Sequence, residues 1–415
     1  MSDISDPRND PHGKYNGNEI VYVSQVLDSA NYRTQEPFTV RFEQAFAKRF
    51  GMDFAIAHNS GTTTLLSCLA AAGVGMGDEV ICPAQAVLMN AATILYQNAV
   101  PVIADIDGET LNIDPADIEK KITNRTKAIF VVHMHGLPAD MDPIMAIAEK
   151  HGITVIEDTA QCVLGTYKGR LAGTMGHMAS FSMESKKHLS TGEGGMVLTN
   201  DEHFGTVVRK TAFNGYRAMT AGKPLRQLLP EQFQDPDYER HDTLGLNFRM
   251  NEVTAAVGLA QLERIDQIVG RRQQVAEYFM DAISSCDWMV PQKVPDDYVN
   301  SYYTFTARYK GKQAIGASWK DFYNKYKAMG GDGFYAGLKV VYSEPMMREK
   351  VFLKSGYLPP DQGPEGDRFA YEQGMCPVAE EAQPEMMSFK TNYRDMETAK
   401  QQAGILGDLI KDLDK

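Results

Sequence analysis

The chain reads as an α/β protein: a large unit built on a mostly parallel sheet between helices, followed by a smaller C-terminal α+β unit. Short runs rich in Val and Ile alternate with helical text between Phe54 and Gln161, the rhythm of a parallel sheet covered on both faces. A long amphipathic stretch, Asn251 to Ser285, then separates this text from strands and helices with mostly local partners. The length of 415 residues, 43% of them hydrophobic, also exceeds what one core usually holds, about 250–300 residues. The expected boundary lies inside the amphipathic stretch, giving an N-terminal arm and large unit over 1–265 and a small unit over 266–415.

In chain order, Phe38, Phe42, Ala45, Phe46 and Phe50 fall on one helical face, and Gly51 follows where a left-handed cap is needed. A strand at Phe54–Ala57, a turn at Asn59-Ser60-Gly61 and a helix carrying Leu65, Leu66 and Leu69 come next. Strands are expected at DEVICP, VPVIADID, KAIFVVHMHG and GITVIEDTAQ, with helices at DPADIEKKI and MDPIMAIAEKHG between them. In the amphipathic stretch Gly270 marks an expected bend. Beyond it, Tyr303, Phe305, Ala307 and Tyr309 alternate as one face of a strand, Ser318 and Asp321 form a capping box, and a docked helix runs on from Asp395. The glycines of GGDGFYAG follow a helix rather than a strand, so they read as a helix stop and not a dinucleotide turn.

Composition narrows the function. A net charge of -12 without a Lys/Arg run interleaved with aromatics argues against nucleic acid. No apolar run reaches the ~18 residues of a membrane span and the first residues are polar, so a cytoplasmic location is expected. Five scattered cysteines without a C-x-x-C pair read as buried free thiols. His133 and His135 share one side of a strand end but lack a third ligand at recognisable spacing, so no metal site is expected.

Three elements carry chemistry. The turn Ser60-Gly61-Thr62-Thr63 opens a helix whose unpaired N–H groups can hold a phosphate. Glu157 and Asp158 end an apolar strand where ligands bind in open sheets, and neighbouring strand residues face opposite ways, so only one carboxylate looks into the crevice. SMESKKHLSTGEGGM places Lys186 and Lys187 before a glycine-rich turn, where a desolvated lysine can become a nucleophilic amine. Phosphate cradle, acid and lysine are the three groups pyridoxal phosphate needs.

SGTTTLL, GDEVICP, PVIADIDGETLNIDP, TKAIFVVHMHGLPADMD, VIEDTAQ, SFSMESKKHLSTGEGGMVLTND, LGLNFRMNEVTAAVGLAQLERID and CPVAEEAQP occur in this order. With these segments the chain resembles the DegT/DnrJ/EryC1/StrS family of fold-type I aminotransferases, which act mainly on nucleotide-linked keto-sugars. The resemblance implies a seven-stranded-type sheet and a pyridoxal 5'-phosphate cofactor. It selects Lys187, not Lys186, as the Schiff-base lysine, from the spacing to Gly192-Glu193-Gly194-Gly195. It assigns Asp158 to the pyridine nitrogen, Gln161 to the ring hydroxyl, and Ser182 with the Gly61-Thr62-Thr63 backbone to the phosphate. Asn247 of LGLNFRM is implied to reach the phosphate of a neighbouring subunit, hence a homodimer with shared sites.

The implied reaction moves an amino group from an amino acid, glutamate by resemblance, to a keto-sugar. Nucleotide-linked 3-keto or 4-keto hexoses, cyclitol ketones and keto-octulosonates all suit the family as acceptors. Dehydratases of the same family carry histidine in place of the lysine; retained Lys187 argues for transamination, although His188 is its neighbour. A non-catalytic cofactor-binding sensor is the alternative from another class. Two departures stand out. Val87 occupies the place of the family's stacking aromatic, leaving Leu88 or Met89 to pack on the ring, and both SANYRTQEP and the long polar stretch Met219 to Thr243 point to an altered substrate pocket.

Overall fold

The structure is a computed structural model that describes residues 6–28, 36–223, 231, 234–355 and 369–413. Much of SANYRTQEP and the centre of the Met219 to Thr243 stretch lie outside the described residues.

The large unit is a seven-stranded sheet. Its strands are β1 (Phe54–His58), β2 (Glu79–Pro83), β3 (Val100–Ala104), β4 (Thr126–Val132), β5 (Thr154–Asp158), β8 (Met178–Ser182) and β9 (Gly195–Thr199), in the order β1-β9-β8-β5-β4-β2-β3. All run parallel except β9, which pairs antiparallel with both β1 and β8. The expected strands are present; β9 was not foreseen, because its text is the end of the glycine-rich turn and gives no turn signal of its own.

Helices Gly61–Ala71, Met89–Tyr96, Pro115–Lys121 and Met141–His151 make the crossovers that parallel neighbours require. Helix Phe38–Phe50 ends on Gly51 at φ 66, as its pattern predicts. Phe46 and Phe50 of that helix meet Phe181 of β8 with ring centroids 5.1 and 5.0 Å apart. Burying such a ring contributes roughly 2 kcal/mol and fixes the helix on the sheet.

Register decides where the site lies. His58 pairs with Gly195, Ser182 with Gly195, and Val132 with Asp158, so the carboxyl ends of β1, β8, β5 and β4 share one edge with the start of β9. That is the edge where open α/β sheets bind ligands.

The second sheet is antiparallel, in the order β10-β12-β14-β13, from β10 (Met289–Pro291), β12 (Thr304–Tyr309), β13 (Tyr335–Ala336) and β14 (Met386–Lys390). Phe305, Ala307 and Tyr309 are buried with Phe279 and Ile283 of one helix and Ala399, Ala403, Leu406 and Ile410 of another, Met396–Leu413. Ser318 and Asp321 do form a capping box. A small third sheet joins β6 (Thr166–Tyr167), β7 (Arg170–Leu171) and β11 (Tyr298–Val299).

Two expectations need correction. The amphipathic stretch is two helices, Glu252–Leu262 and Ile265–Ile283, and the break falls at Arg264 (φ -115, ψ 12), not at Gly270. The Arg264 guanidinium is drawn out to Glu19 and Asn16, whereas Gly270 sits inside the second helix with open space where a Cβ would be. His133 and His135 do not share a side: Val132 ends β4, and His135 takes a left-handed backbone (φ 61) that separates the two rings' partners. His133 meets Glu157 and His135 meets Thr304.

All five cysteines are buried and free. Among the described residues no helix is long and apolar enough to cross a membrane, and no His/Cys/Asp/Glu group is placed to hold a metal ion.

Candidate active site

Asp158 and Glu157, adjacent on β5, take opposite faces as alternation demands. Glu157 is fully buried, and its oxygens accept from His133 Nε2 (2.9 Å) and from the N–H groups of Gly173 (2.7 Å), Met175 (2.7 Å) and Gly176 (2.5 Å). The Ala139 N–H occupies His133 Nδ1, which leaves the proton of that ring on Nε2 for Glu157. Burial pushes the Glu157 carboxyl up, but the His133 ring and the surrounding N–H donors outweigh it and hold the group below the usual carboxylate range. Glu157 is therefore the internal anchor, and Asp158 is the carboxylate left for the crevice.

Asp158 is held by both oxygens. Oδ2 accepts from Asn90 Nδ2 at 3.0 Å and Oδ1 from the Ala160 N–H at 3.1 Å. Asn90 belongs to helix Met89–Tyr96 and was missed in the sequence, where its only signal is a buried amide in otherwise apolar helical text. Gln161 is fixed too: its Oε1 accepts the His135 N–H at 3.0 Å, so its amide N–H groups remain for a ligand.

Lys187 lies in the turn after β8, with Nζ 4.7 Å from the centroid of the Tyr303 ring. Burial lowers its pKa from the ordinary lysine value; Asp158 and Glu184 oppose that fall and Arg272 adds to it. Lys186 is exposed, with Nζ 5.7 Å from the Tyr335 ring. The two adjacent lysines are thus physically distinct. His188 is buried, with Nε2 at 2.9 Å from the Ser301 carbonyl.

The Ser60-Gly61-Thr62-Thr63 turn opens a capped helix, as its pattern suggests. Ser60 caps helix Gly61–Ala71, and its Oγ accepts the Thr63 N–H at 3.2 Å. Thr63 also gives its hydroxyl to Asn59 Oδ1 (2.8 Å), so it closes the turn, while the N–H groups of Gly61 and Thr62 stay as helix-end donors. A Cβ on Gly61 would stand 2.7 Å from Ser182 Cβ, and one on Gly195 2.5 Å from the Ser60 carbonyl oxygen. Glycine at both positions lets β8, β9 and the helix start close into one cradle with the Ser182 hydroxyl at its rim.

Lys187 and Asp158 are brought into electrostatic contact, and Ser182 and Gly61 into direct contact. Asn247 is not brought to them within the chain: it is exposed and accepts a long 3.4 Å bond from the Arg249 N–H, although its segment abuts the turn through Asn59 N–H to Phe248 O (2.7 Å). Leu88 packs against the core, whereas Val87 and Met89 stay 40% and 37% exposed.

Comparison with known proteins agrees with this geometry. The sequence profile of the DegT/DnrJ/EryC1/StrS aminotransferase family matches residues 14–401. GDP-perosamine synthase of Caulobacter vibrioides is 40% identical over 267 residues, covering 64% of this chain and 67% of that protein. L-glutamine:2-deoxy-scyllo-inosose aminotransferase of Micromonospora echinospora is 35% identical over 294 residues, 70% of this chain and 68% of that protein. Among solved structures, an aminotransferase from Psychrobacter cryohalolentis superposes with a TM-score of 0.81 at 28% identity, covering 96% of this chain and 97% of that one. A lysine after β8 near a β5 carboxylate and a glycine-bearing helix start, on a chain matched along nearly its whole length, makes this protein a member of the DegT/DnrJ/EryC1/StrS family of PLP-dependent, fold-type I aminotransferases.

Proposed function

We propose that the protein is a PLP-dependent aminotransferase that moves an amino group from an amino acid, glutamate, to the ketone of a nucleotide-linked keto-sugar. The observation that carries this reading is Lys187, whose burial lowers its pKa beside Asp158, in a chain of this family. The nucleotide link rests on the GDP-linked sugar in the name of one relative, and the cyclitol acceptor of another is the nearest competitor.

The residues fit the cofactor. The helix start reaches the Ser182 hydroxyl only because Gly61 carries no Cβ, and the Gln161 amide is aimed by a bond that leaves its N–H groups unused. When bound, pyridoxal phosphate supplies a ring that accepts electrons from the donor's Cα. Asp158, oriented by Asn90, would keep a proton on the pyridine nitrogen. Gln161 would donate to the ring hydroxyl, and Gly61, Thr62 and Ser182 would hold the phosphate; Thr63, expected to share that role through its backbone, has its N–H taken by Ser60 and closes the turn instead. Lys187 would accept the donor's Cα proton at Nζ and pass it to the cofactor's C4′ rather than back to Cα.

The same reading places the protein in the cytoplasm as a homodimer, with Asn247 serving the partner's phosphate site. Leu244 (92% exposed) and Leu246 (59%) flank Asn247, and two large apolar side chains left in water beside it favour a covered surface. It also assigns cofactor binding to the large unit over residues 1–265, with residues 266–415 as the small unit. With Val87 in place of an aromatic, the ring is covered by an aliphatic contact from Val87 or Met89.

The test is borohydride trapping of the cofactor followed by peptide mapping. The adduct is expected on Lys187, retained in Lys186→Ala and absent in Lys187→Ala. An adduct on Lys186 in the native protein overturns the assignment. Challenging the amine-loaded enzyme with a nucleotide keto-hexose, a cyclitol ketone and a keto-octulosonate then reads the acceptor from return of the cofactor's visible band; a response to a non-nucleotide ketone alone overturns the acceptor.

A further inference from the structure

Arg272 is the least expected charge in the molecule. It sits in helix Ile265–Ile283, on the face that otherwise buries Val269, Val275, Ala276 and Phe279, and is itself only 6% exposed. Among the described residues no carboxylate pairs with it. Its acceptors are instead main-chain carbonyls and one hydroxyl: Nη2 donates to Lys186 O (2.7 Å) and Lys187 O (3.2 Å), and Nη1 to Tyr303 O (3.0 Å) and Thr391 Oγ1 (3.2 Å). The guanidinium therefore ties three pieces of chain: the lysine turn after β8, the entry to β12 and the exit from β14.

Two of these pieces meet the Lys187 amine. The Tyr303 ring lies with its centroid 4.7 Å from Lys187 Nζ and 5.7 Å from Arg272 Cζ. Thr391, fully buried, reinforces the joint by sharing its one hydroxyl proton between Tyr302 O (2.6 Å) and Tyr303 O (3.0 Å). A buried guanidinium with four acceptors in place is a costly arrangement, because desolvating a charge without a counter-charge is unfavourable. Burial lowers the Arg272 pKa to about 10. A Met or Leu would fill the same space on the helix without that cost, so the charge calls for another explanation than packing.

We propose that Arg272 is a positioning residue for Lys187: by gripping the carbonyls of Lys186, Lys187 and Tyr303 at once, it sets the direction of the lysine side chain and holds the aromatic face against which the amine rests. The inference rests on Lys187 being the reactive amine. The groups facing that amine are Asp158 from the end of β5, Glu184 from the same turn, Tyr303 from the entry to β12 and Arg272 from its helix. Asp158 and Glu184 favour its charged form, while burial and Arg272 favour the free amine. Removing Arg272 therefore moves Lys187 toward an ordinary exposed lysine in both geometry and charge.

Lys186 is an internal standard, adjacent in the chain and exposed. The experiment labels the full-length, cofactor-stripped protein with trace acetic anhydride across a pH series and reads Lys187 and Lys186 separately by fragmentation mass spectrometry. In the unaltered protein Lys187 is expected to titrate at lower pH than Lys186. In Arg272→Gln the Lys187 midpoint rises toward that of Lys186, and the Lys187-to-Lys186 labelling ratio near neutral pH falls by about tenfold. Arg272→Lys keeps a charge but cannot span the four acceptors, so it shows the same direction with a smaller change, and it serves as the test if Arg272→Gln does not fold. The holoenzyme gives a second reading, the pH midpoint of the bound cofactor's visible absorbance, which moves up in the same order.

If both variants lose thermal stability while the Lys187 midpoint stays in place, Arg272 is a structural tie only and the proposal is overturned. If Lys187 titrates like Lys186 in the unaltered protein, it is the reading of Lys187 itself that fails. The two failures are thus distinct.

Discussion

Asn90 Nδ2 donates to Asp158 Oδ2 at 3.0 Å, joining the helix after β2 to the end of β5 across a separation of 68 residues. The bond fixes the plane of a carboxylate whose other oxygen is already held by the Ala160 N–H. Asn90→Ala should leave the fold and cofactor binding in place and lower turnover about tenfold, the size expected when one orienting hydrogen bond of about 1.4 kcal/mol is lost. Asp158→Asn should lose far more, since an amide cannot keep the pyridine nitrogen protonated. Single-turnover kinetics separate the two; equal losses would show that Asn90 does more than orient.

Gly61→Ala tests the cradle. The added methyl meets Ser182 Cβ at 2.7 Å and must displace it or the helix start. Strain of this kind costs about 1–3 kcal/mol, and if it falls on cofactor binding, affinity weakens roughly ten- to a hundredfold. Equilibrium dialysis of the stripped protein reads this directly, with circular dichroism expected to be unchanged. Undiminished affinity would place the phosphate elsewhere.

Glu157 gives a pH signature. Its folded pKa lies below the ordinary value of 4.5, so its contribution to stability is complete above that value and is lost as pH falls through the folded one. Glu157→Gln should cost about 3 kcal/mol at neutral pH, because it leaves the His133 ring and three backbone donors with a mismatched partner. Urea titrations should show the gap between native and variant closing only at pH values under about 4.5. A gap that stays constant down to acid pH would mean the carboxylate is not ionised in the folded state.

The thiols give a simpler check. Burial pushes the Cys68, Cys82 and Cys162 thiols up, Asp158 raises Cys68 further and Cys376 raises Cys82 further, while burial pushes Cys376 up to about 12. A disulfide reagent should react slowly with the native protein and with all five cysteines in denaturant. Rapid native labelling of several thiols would contradict the packing of the sheet.

What could be read in the sequence was local. Lys187, Ser182 and the glycine turn lie within one short segment, and Asp158 ends a strand whose apolar run is unmistakable, so they stood out as candidates, while the choice of Lys187 over Lys186 and the role of Ser182 came from the family resemblance. Helix Phe38–Phe50 and its cap at Gly51 were legible for the same reason: periodicity and stop signal sit side by side. Asn90, Arg272 and Tyr303 were not legible, because each acquires meaning from a distant partner. Arg272 meets the Lys187 carbonyl across 85 residues, and nothing in GRRQQVAEYF distinguishes it from Arg271. The break at Arg264 was likewise hidden, since it depends on Glu19 and Asn16 at the other end of the large unit.

The antiparallel strand β9 carries a consequence for how the molecule tolerates change. The chain leaves Lys187, turns through the glycines and returns at once as the strand wedged between β1 and β8, its first residue seated against the Ser60 carbonyl oxygen. Lysine and anion turn are thereby joined by a strap of set length, and the distance between them is measured out by covalent chain rather than by side-chain packing. An insertion between Lys187 and Gly195 cannot be absorbed by sliding β9, because a single step of register would exchange its two buried faces. Length in this segment should therefore be less forgiving than composition.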